Sequence, residues 1–335
     1  MELNDKLKLA FQKISLANKI LLVSHTAPDP DALSSLGAML EVLDILGIEK
    51  SAYAEKKIDS AYSFIPHEED ISNQKPESLE AFSVILILDC GSISRTGLET
   101  ELRAILEARR LAPDRTPYII EFDHHESVDK FADLEIRISS KASTTEIVYD
   151  FLRANNFTIN KTIADCILTG LISDTGNFLH ANSSFDALAA SSYLLLKGAS
   201  LVKISSQLRG VGSLSALKIW GKVFNNIKFN SETGLISSAL IKKDLDELLT
   251  PEERVKVTDI FGDIVSFMSY LSGVEIALLL REDDGRVKGS LRTNYDDVDV
   301  SLIAQGFGGG GHKRAAGFSV NGSLEETKGG WRVIG

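Results

Sequence analysis

The stretch KILLVSHTAPDPDALSSLGAMLEVLDILG, residues 19–47, decides the fold. Its first part, Lys19 to Ser24, is an apolar run of strand length and reads as a buried strand. Its last part, Asp31 to Leu46, spaces apolar residues with helical period and stops at Gly47, a residue suited to ending a helix. Strand, polar loop and helix in that order form the repeating unit of a parallel sheet, because parallel strands need a crossover between them.

Outward from this unit the same grammar recurs. Ser83 to Leu88 (SVILIL) and Tyr118 to Phe122 (YIIEF) are further apolar runs followed by polar loops. Ser143 to Asn155 and Asn160 to Ile172 read as helices, with Ser143 and Glu146 at capping-box spacing. Residues 184–217 have a helical pattern broken by Gly198, Gly210 and Gly212. Beyond them, segments 234–241, 274–281 and 286–293 read as strands, with Asp284-Gly285 as a hairpin turn between the last two. Thr250-Pro251-Glu252-Glu253 reads as a helix start, Pro at its first position. The expected fold class is α/β: an N-terminal, largely parallel sheet flanked by helices over 1–183, a helical connector over 184–217, and a smaller α/β domain over 218–335.

The 335 residues are 44% hydrophobic and 25% charged, the composition of a soluble globular protein. Met1 to Leu9 mixes charges among its few apolar residues and lacks the pattern of a signal peptide. No apolar run has the length to cross a bilayer. Cys90 and Cys166 lie in apolar segments and read as free core thiols, so the expected location is the cytoplasm, away from membranes. The net charge of −11 works against gripping long duplex nucleic acid, which takes a basic face. A phosphate-bearing partner must be small, or held by metal ions and a few local cations.

Four short segments carry candidate chemistry: SHTAPDPD (24–31), LDCG (88–91), DHHE (123–126) and SDTGN (173–177). In a parallel α/β sheet the loops at the carboxyl ends of the strands share one edge, where ligands bind. His25, Asp29, Asp31, Asp89, His124 and Asp174 would converge there. Four crowded carboxylates repel one another unless cations neutralise them, and mixed His/Asp ligation suits manganese, zinc or iron. A carboxylate shared by two ions would give the two-metal arrangement of phosphoryl hydrolysis. Each piece has a plainer reading: Asp29 before Pro30 as a helix cap, the His-His pair as a surface accident, Asp174-Thr175-Gly176 as a turn. His67 reads as a surface residue without a role, and His180 as structural. Near the C-terminus, Gly309, Gly310 and Gly311 lie in a run that ends at His312, and Lys313 and Arg314 follow. Consecutive glycines expose N–H groups that can cradle a phosphate, whereas the plainer reading is a flexible loop.

These same residues resemble the DHH phosphoesterase family, whose triplet here is Asp123-His124-His125. Its first motif is similar to His25–Leu33 (HTAPDPDAL), its second to Asp89 with Arg95 downstream, and its fourth to Asp174-Thr175-Gly176. The C-terminal part resembles the DHH-associated domain, through Ser290-Leu291-Arg292, Gly308–His312 and Ala315-Ala316-Gly317. The chain departs from the pattern at Pro30, between the paired aspartates, at Ser34, where glycine is common, and at Lys328–Gly335. The layout is most similar to compact bacterial nano-RNases.

The resemblance implies two divalent metal ions, manganese first, with magnesium, cobalt, iron(II) or zinc as alternatives. It assigns His25, Asp29 and Asp89 to one ion, and Asp31, Asp89, His124 and Asp174 to the other. His125 would face the substrate and Asp123 would orient an imidazole; Arg292 and His312 would bind a second phosphate. The implied substrates are short oligoribonucleotides and 3′-phosphoadenosine 5′-phosphate (pAp). Linear pApA, cyclic dinucleotides and a catalytically silent nucleotide-binding regulator are the alternatives. A homodimer stays open.

Overall fold

The computed structural model describes residues 2–112, 117–126, 130–180, 182–208, 214–250, 260–327 and 330–335. The chain forms two compact units, Met1–Gly210 and Val211–Gly335. The helix start expected at Pro251–Glu253 and the breaks at Gly210 and Gly212 lie outside the described residues.

The first unit is built on a six-stranded, all-parallel sheet. Its strands are β1 (Lys19–Val23), β2 (Glu49–Tyr53), β3 (Ile71–Ser72), β4 (Val84–Leu88), β5 (Tyr118–Asp123) and β6 (Leu134–Arg137), in the order β3-β2-β1-β4-β5-β6. Alternation along each strand supplies two cores. Ile20, Leu22, Leu86, Leu88, Ile120 and Phe122 face one core, whereas Leu21, Val23, Ile85, Ile87 and Ile119 face the other. The first core is closed by α1 (Leu3–Ser15), α2 (Pro30–Leu46), α4 (Thr144–Ala154) and α5 (Lys161–Asp174), and the second by α3 (Glu99–Leu111). Burying one such Leu or Ile contributes about 1.5–3 kcal/mol. Both-face burial is why these strands read as unbroken apolar runs.

The helix boundaries follow local chemistry. Asp29 caps α2, Pro30 occupies its first turn, and Gly47 ends it at φ +67°. This accounts for Pro30: its fixed φ suits the first helical position, where no N–H is needed. Ser143 caps α4 by accepting from Glu146 N, and Asn160 caps α5. Of the segment expected to connect the units, α6 (Phe185–Leu196) and α7 (Leu201–Leu208) pack on α5 within the first unit. The next helix, α8 (Leu214–Asn225), packs in the second.

The second unit has a mixed sheet in the order β11-β12-β10-β9-β8-β7. Its strands are β7 (Lys228–Asn230), β8 (Leu235–Leu240), β9 (Ile276–Asp283), β10 (Arg286–Arg292), β11 (Gly310–His312) and β12 (Ala315–Asn321). The β9–β10 turn has Asp284 and Gly285 at φ +47° and +78°, the two left-handed residues that the sequence signals. Helices α9 (Lys242–Leu248), α10 (Ile260–Ser269) and α11 (Val300–Gly306) and the hairpin of β13 (Ser323–Thr327) and β14 (Gly330–Ile334) complete it. This is the α/β class expected, with the parallel sheet in the N-terminal unit. Cys90 and Cys166 are buried and free. Among the described residues no single helix is long and apolar enough to cross a membrane, and the apolar pair α6 and α7 is bent by 116°.

Candidate active site

The sheet order reverses between β1 and β4, and ligand sites of such sheets lie at the carboxyl ends of the strands flanking that point. His25 follows β1, Asp89 follows β4, Asp123 ends β5, and His124 and His125 come directly after it. Asp29 and Asp31 open α2, and Asp174 closes α5. All six expected metal ligands therefore gather at one edge of the first unit. Together with His125 they form three groups that each offer ligand atoms within 4.8 Å of one another: His25, Asp29 and Asp89; Asp31, His124 and Asp174; and Asp89, His124 and His125. Asp89 belongs to two of the three.

The details separate structural from free coordination. Asp29 Oδ1 accepts from Asp31 N at 3.0 Å and Ala32 N at 3.1 Å, so the capping reading of Asp29 holds. The same carboxylate turns Oδ2 toward His25 Nε2, 3.8 Å away. That distance is too long for a hydrogen bond, and His25 Nε2 is buried without a partner among the described residues. An imidazole nitrogen without a protein partner in a carboxylate cluster suits a metal ligand, since buried polar atoms otherwise find partners. His124 Nε2 lies 3.3 Å from Asp174 Oδ2 and 3.7 Å from Asp89 Oδ1.

Asp89 is buried at φ +60°, a left-handed conformation that Asp tolerates better than most residues but that still costs about 1–2 kcal/mol. Its N–H is secured by Phe122 O at 3.0 Å. Burial pushes the Asp89 carboxyl well above the usual carboxylate range, and Asp31, Asp29 and Asp174 push it further. Burial and the charges of Asp31 and Asp29 do the same to Asp174. The cluster lacks positive charge, and divalent ions would supply it.

Asp123 is fully buried and accepts from the His125 backbone N–H at 2.7 Å, from His125 Nδ1 at 2.8 Å and from Gly91 N–H. Burial alone would raise its carboxyl. The His125 ring, the His125 N–H and the Gly91 N–H reverse that and hold it low. With Nδ1 tied to Asp123, the partly exposed His125 ring keeps Nε2 for other contacts.

Several site residues went unread in the sequence, and two that were read, His180 and Arg95, gain their contacts only in the structure. Thr144 and Thr145, at the start of α4, hydrogen-bond Asp31 and Asp89. Gly170 of α5 lets that helix approach: a Cβ there would stand 2.3 Å from both Asp31 Oδ1 and Thr145 Oγ1. His180 Nδ1 and Asn182 Nδ2 reach the Asp174 carbonyl at 3.1 and 3.2 Å and hold its turn. The Arg95 guanidinium lies against Gly91 beside His125, with no carboxylate partner among the described residues. The capping box marked the start of α4, but nothing local said what that start would face.

In the second unit, Arg292 on β10 and His312 on β11 are both in register with Ala315 on β12, so they project from one face of the sheet two strands apart. Arg292 lies against α10, with Asp263 of that helix and Tyr270 just past its end close enough to act on its charge. The glycine run leads into the edge strand β11, which takes up Gly310 and Gly311. Gly309 and Gly311 press on β12, where a Cβ would meet Gly317 O at 2.1 Å and Ala315 O at 2.6 Å, whereas Gly310 is open. Close packing thus explains two of the three glycines without a ligand. Arg314 is engaged by Asp296, which leaves fewer local cations than the sequence suggested.

Comparisons with known proteins agree with this geometry. The model of the DHH family, N-terminal domain, matches residues 19–171, and that of the DHHA1 domain matches 255–328. The bifunctional oligoribonuclease and PAP phosphatase NrnA of Thermus thermophilus is 28% identical over 320 residues, 95% of this chain and 89% of its own. The protein of the same name from Bacillus subtilis is 26% identical over 313 residues, covering 92% of this chain and 91% of that one. Among solved structures, an exopolyphosphatase-related protein from Bacteroides fragilis superposes with a TM-score of 0.81 at 25% identity, over 95% of this chain and 92% of its own. With two family models in order along the chain and relatives aligned over nearly all of it, this chain carries a DHH-family N-terminal domain over residues 19–171 and a DHHA1 domain over residues 255–328.

Proposed function

We propose that the chain is a metal-dependent hydrolase that removes nucleotides from the 3′ end of short oligoribonucleotides and converts pAp to AMP and phosphate. The observation that carries the metal dependence is the set of three ligand groups linked through Asp89 and His124, with His25 Nε2 bare among them. The substrate rests on the relatives named as oligoribonuclease and PAP phosphatase over nearly the whole chain, and on the net charge of −11, which disfavours long polyanions.

His25, Asp29 and Asp89 would hold one divalent ion, and Asp31, Asp89, His124 and Asp174 a second, with manganese the expected metal. Bound divalent ions supply Lewis acidity at the phosphoryl oxygens and activate water at neutral pH. The protein's own part is positioning. His125, oriented through Nδ1 by Asp123, turns Nε2 to the leaving oxygen. Arg292 and His312 bind a second phosphate, with Gly310 the glycine open to it. Every proposed metal ligand lies within residues 25–174, so one copy of the chain holds the whole set, and we place the enzyme in the cytoplasm, in keeping with its two free buried thiols.

The test is a panel of pAp, pApA, RNAs of two to five nucleotides, cyclic dinucleotides and polyphosphate, assayed with manganese. Turnover of pAp and dinucleotides is the expected result. Stoichiometric metal with no turnover of any nucleotide would leave a binding protein instead.

A further inference from the structure

We propose that Thr144 sets the spacing of the two buried carboxylates of the metal site, its backbone N–H holding Asp31 and its hydroxyl holding Asp89. The inference rests on the metal-site reading above. Thr144 is the first residue of α4, and it touches both carboxylates at once. Its N–H donates to Asp31 Oδ2 at 2.7 Å, and its Oγ1 donates to Asp89 Oδ1 at 2.8 Å. Thr145 completes the grip on Asp31, donating to Oδ1 from its N–H at 3.1 Å and from its hydroxyl at 2.7 Å. Asp31 is thus bound through both oxygens, by donors from a single helix start. Asp89, 55 residues from Thr144 and on a different strand loop, is joined to that start by one hydroxyl.

The start of α4 is itself fixed. Ser143 accepts from Glu146 N at 3.1 Å and lies 2.8 Å from Thr145 Oγ1, while the Glu146 carboxylate accepts from Ala142 N and Lys141 Nζ, each at 2.8 Å. From the far side Gly170 leaves no slack, as a Cβ there would overlap Asp31 and Thr145. A helix N-terminus favours an anion beside it, and its first N–H groups lack partners in the helix. Here the anion is a side chain of the protein. A hydroxyl that donates to one carboxylate oxygen uses one lone pair and fixes the plane of the group, so the remaining lone pairs keep one direction. For Asp89 that direction is toward His25 and Asp29 on one side and His124 on the other. Thr144 is a positioning residue: it sets where the ligand oxygens stand before any ion arrives.

Thr144→Val removes the hydroxyl and keeps the branched shape and the N–H. Thr144→Ala removes the hydroxyl without the branch, and Thr144→Ser restores the hydroxyl alone. Manganese binding to each full-length variant is measured by calorimetric titration, with the melting temperature taken in chelator. We expect Val and Ala to weaken manganese binding by roughly ten- to a hundredfold, Ser to recover most of it, and the chelator melting temperatures to stay close together. Wild-type affinity in the Val or Ala variant would overturn the proposal. So would a Ser variant as weak as Val, because the hydroxyl would then not be what holds the site. If neither Val nor Ala folds, the hydroxyl is a folding determinant and the positioning role fails. A wild-type protein that binds no manganese would instead defeat the metal-site reading itself, an outcome separate from these.

Discussion

Asp89→Asn should separate stability from metal binding. The amide keeps the shape of the side chain, still accepts the Thr144 hydroxyl through Oδ1, and tolerates the backbone at φ +60°, where Asn is favoured. What it removes is one of the negative charges crowded with Asp29, Asp31 and Asp174. In chelator the variant should therefore melt no lower than the wild type. Adding manganese should divide them. An ion at a hundred times its Kd stabilises the folded state by about 2.7 kcal/mol. For a unit the size of Met1–Gly210, each kcal/mol moves Tm by about 2–4 °C, so the wild type should gain about 5–10 °C. The variant, lacking the carboxylate common to two ligand groups, should gain little. Its turnover of pAp should fall by roughly a thousandfold, about 4 kcal/mol of transition-state stabilisation. The measurements are thermal melts with and without manganese, metal content by elemental analysis, and phosphate release. A variant that gains the full manganese shift and keeps its turnover would refute the role of Asp89, and one that melts far lower in chelator would show that the charge stabilises the fold.

Arg292→Ala should raise KM for dinucleotides while sparing a small diester such as bis-p-nitrophenyl phosphate. A length series at fixed salt should show the wild type slowing steeply beyond a few nucleotides, and equal rates on a dinucleotide and a long strand would contradict the short-substrate reading. Gly170→Ala, whose Cβ would stand 2.3 Å from Asp31 Oδ1 and Thr145 Oγ1, should lose about 1–3 kcal/mol in a denaturant melt together with manganese affinity; unchanged values would mean that α5 has room to move. His67 is more than the surface residue its loop suggested. Burial lowers its pKa, but Asp70 and Glu41, each 2.8 Å from a ring nitrogen, outweigh burial and hold it above the ordinary value. Nearby Asp44 is paired with Lys50. A histidine raised in the folded state contributes stability that is complete below about pH 6.5 and lost as pH rises through the folded value. His67→Asn, compatible with φ +66°, should flatten that fall in melts taken from pH 6 upward, and an unchanged slope would clear His67 of it.

The sequence by itself determined the elements whose signals are local. Lys19–Val23, Val84–Leu88 and Tyr118–Asp123 are apolar because both faces of the sheet are covered, and an unbroken apolar run survives any choice of neighbours. Asp29, Pro30 and Gly47 fix the ends of α2 by their own backbone preferences, as Asp284-Gly285 fixes its turn. The short strands β3, β7 and β11 and the helix α1 were not legible, because β3, β7 and β11 are too short to carry a period and the surface helix α1 looks like any mixed polar segment. The six candidate ligands were readable because each stands just past a strand or at a helix end, where the parallel topology forces convergence.

What only the tertiary structure decided is how those ligands are held. That Asp31 meets Thr144, 113 residues away, and that Gly170 must be small for it to do so, depends on three helices meeting behind the sheet. The bare nitrogen of His25, the clamp on His67 and the capture of Arg314 by Asp296 depend likewise on distant partners. Local propensity specifies a residue's own backbone, whereas a hydrogen bond between segments is specified by packing, and no window of sequence contains both of its ends.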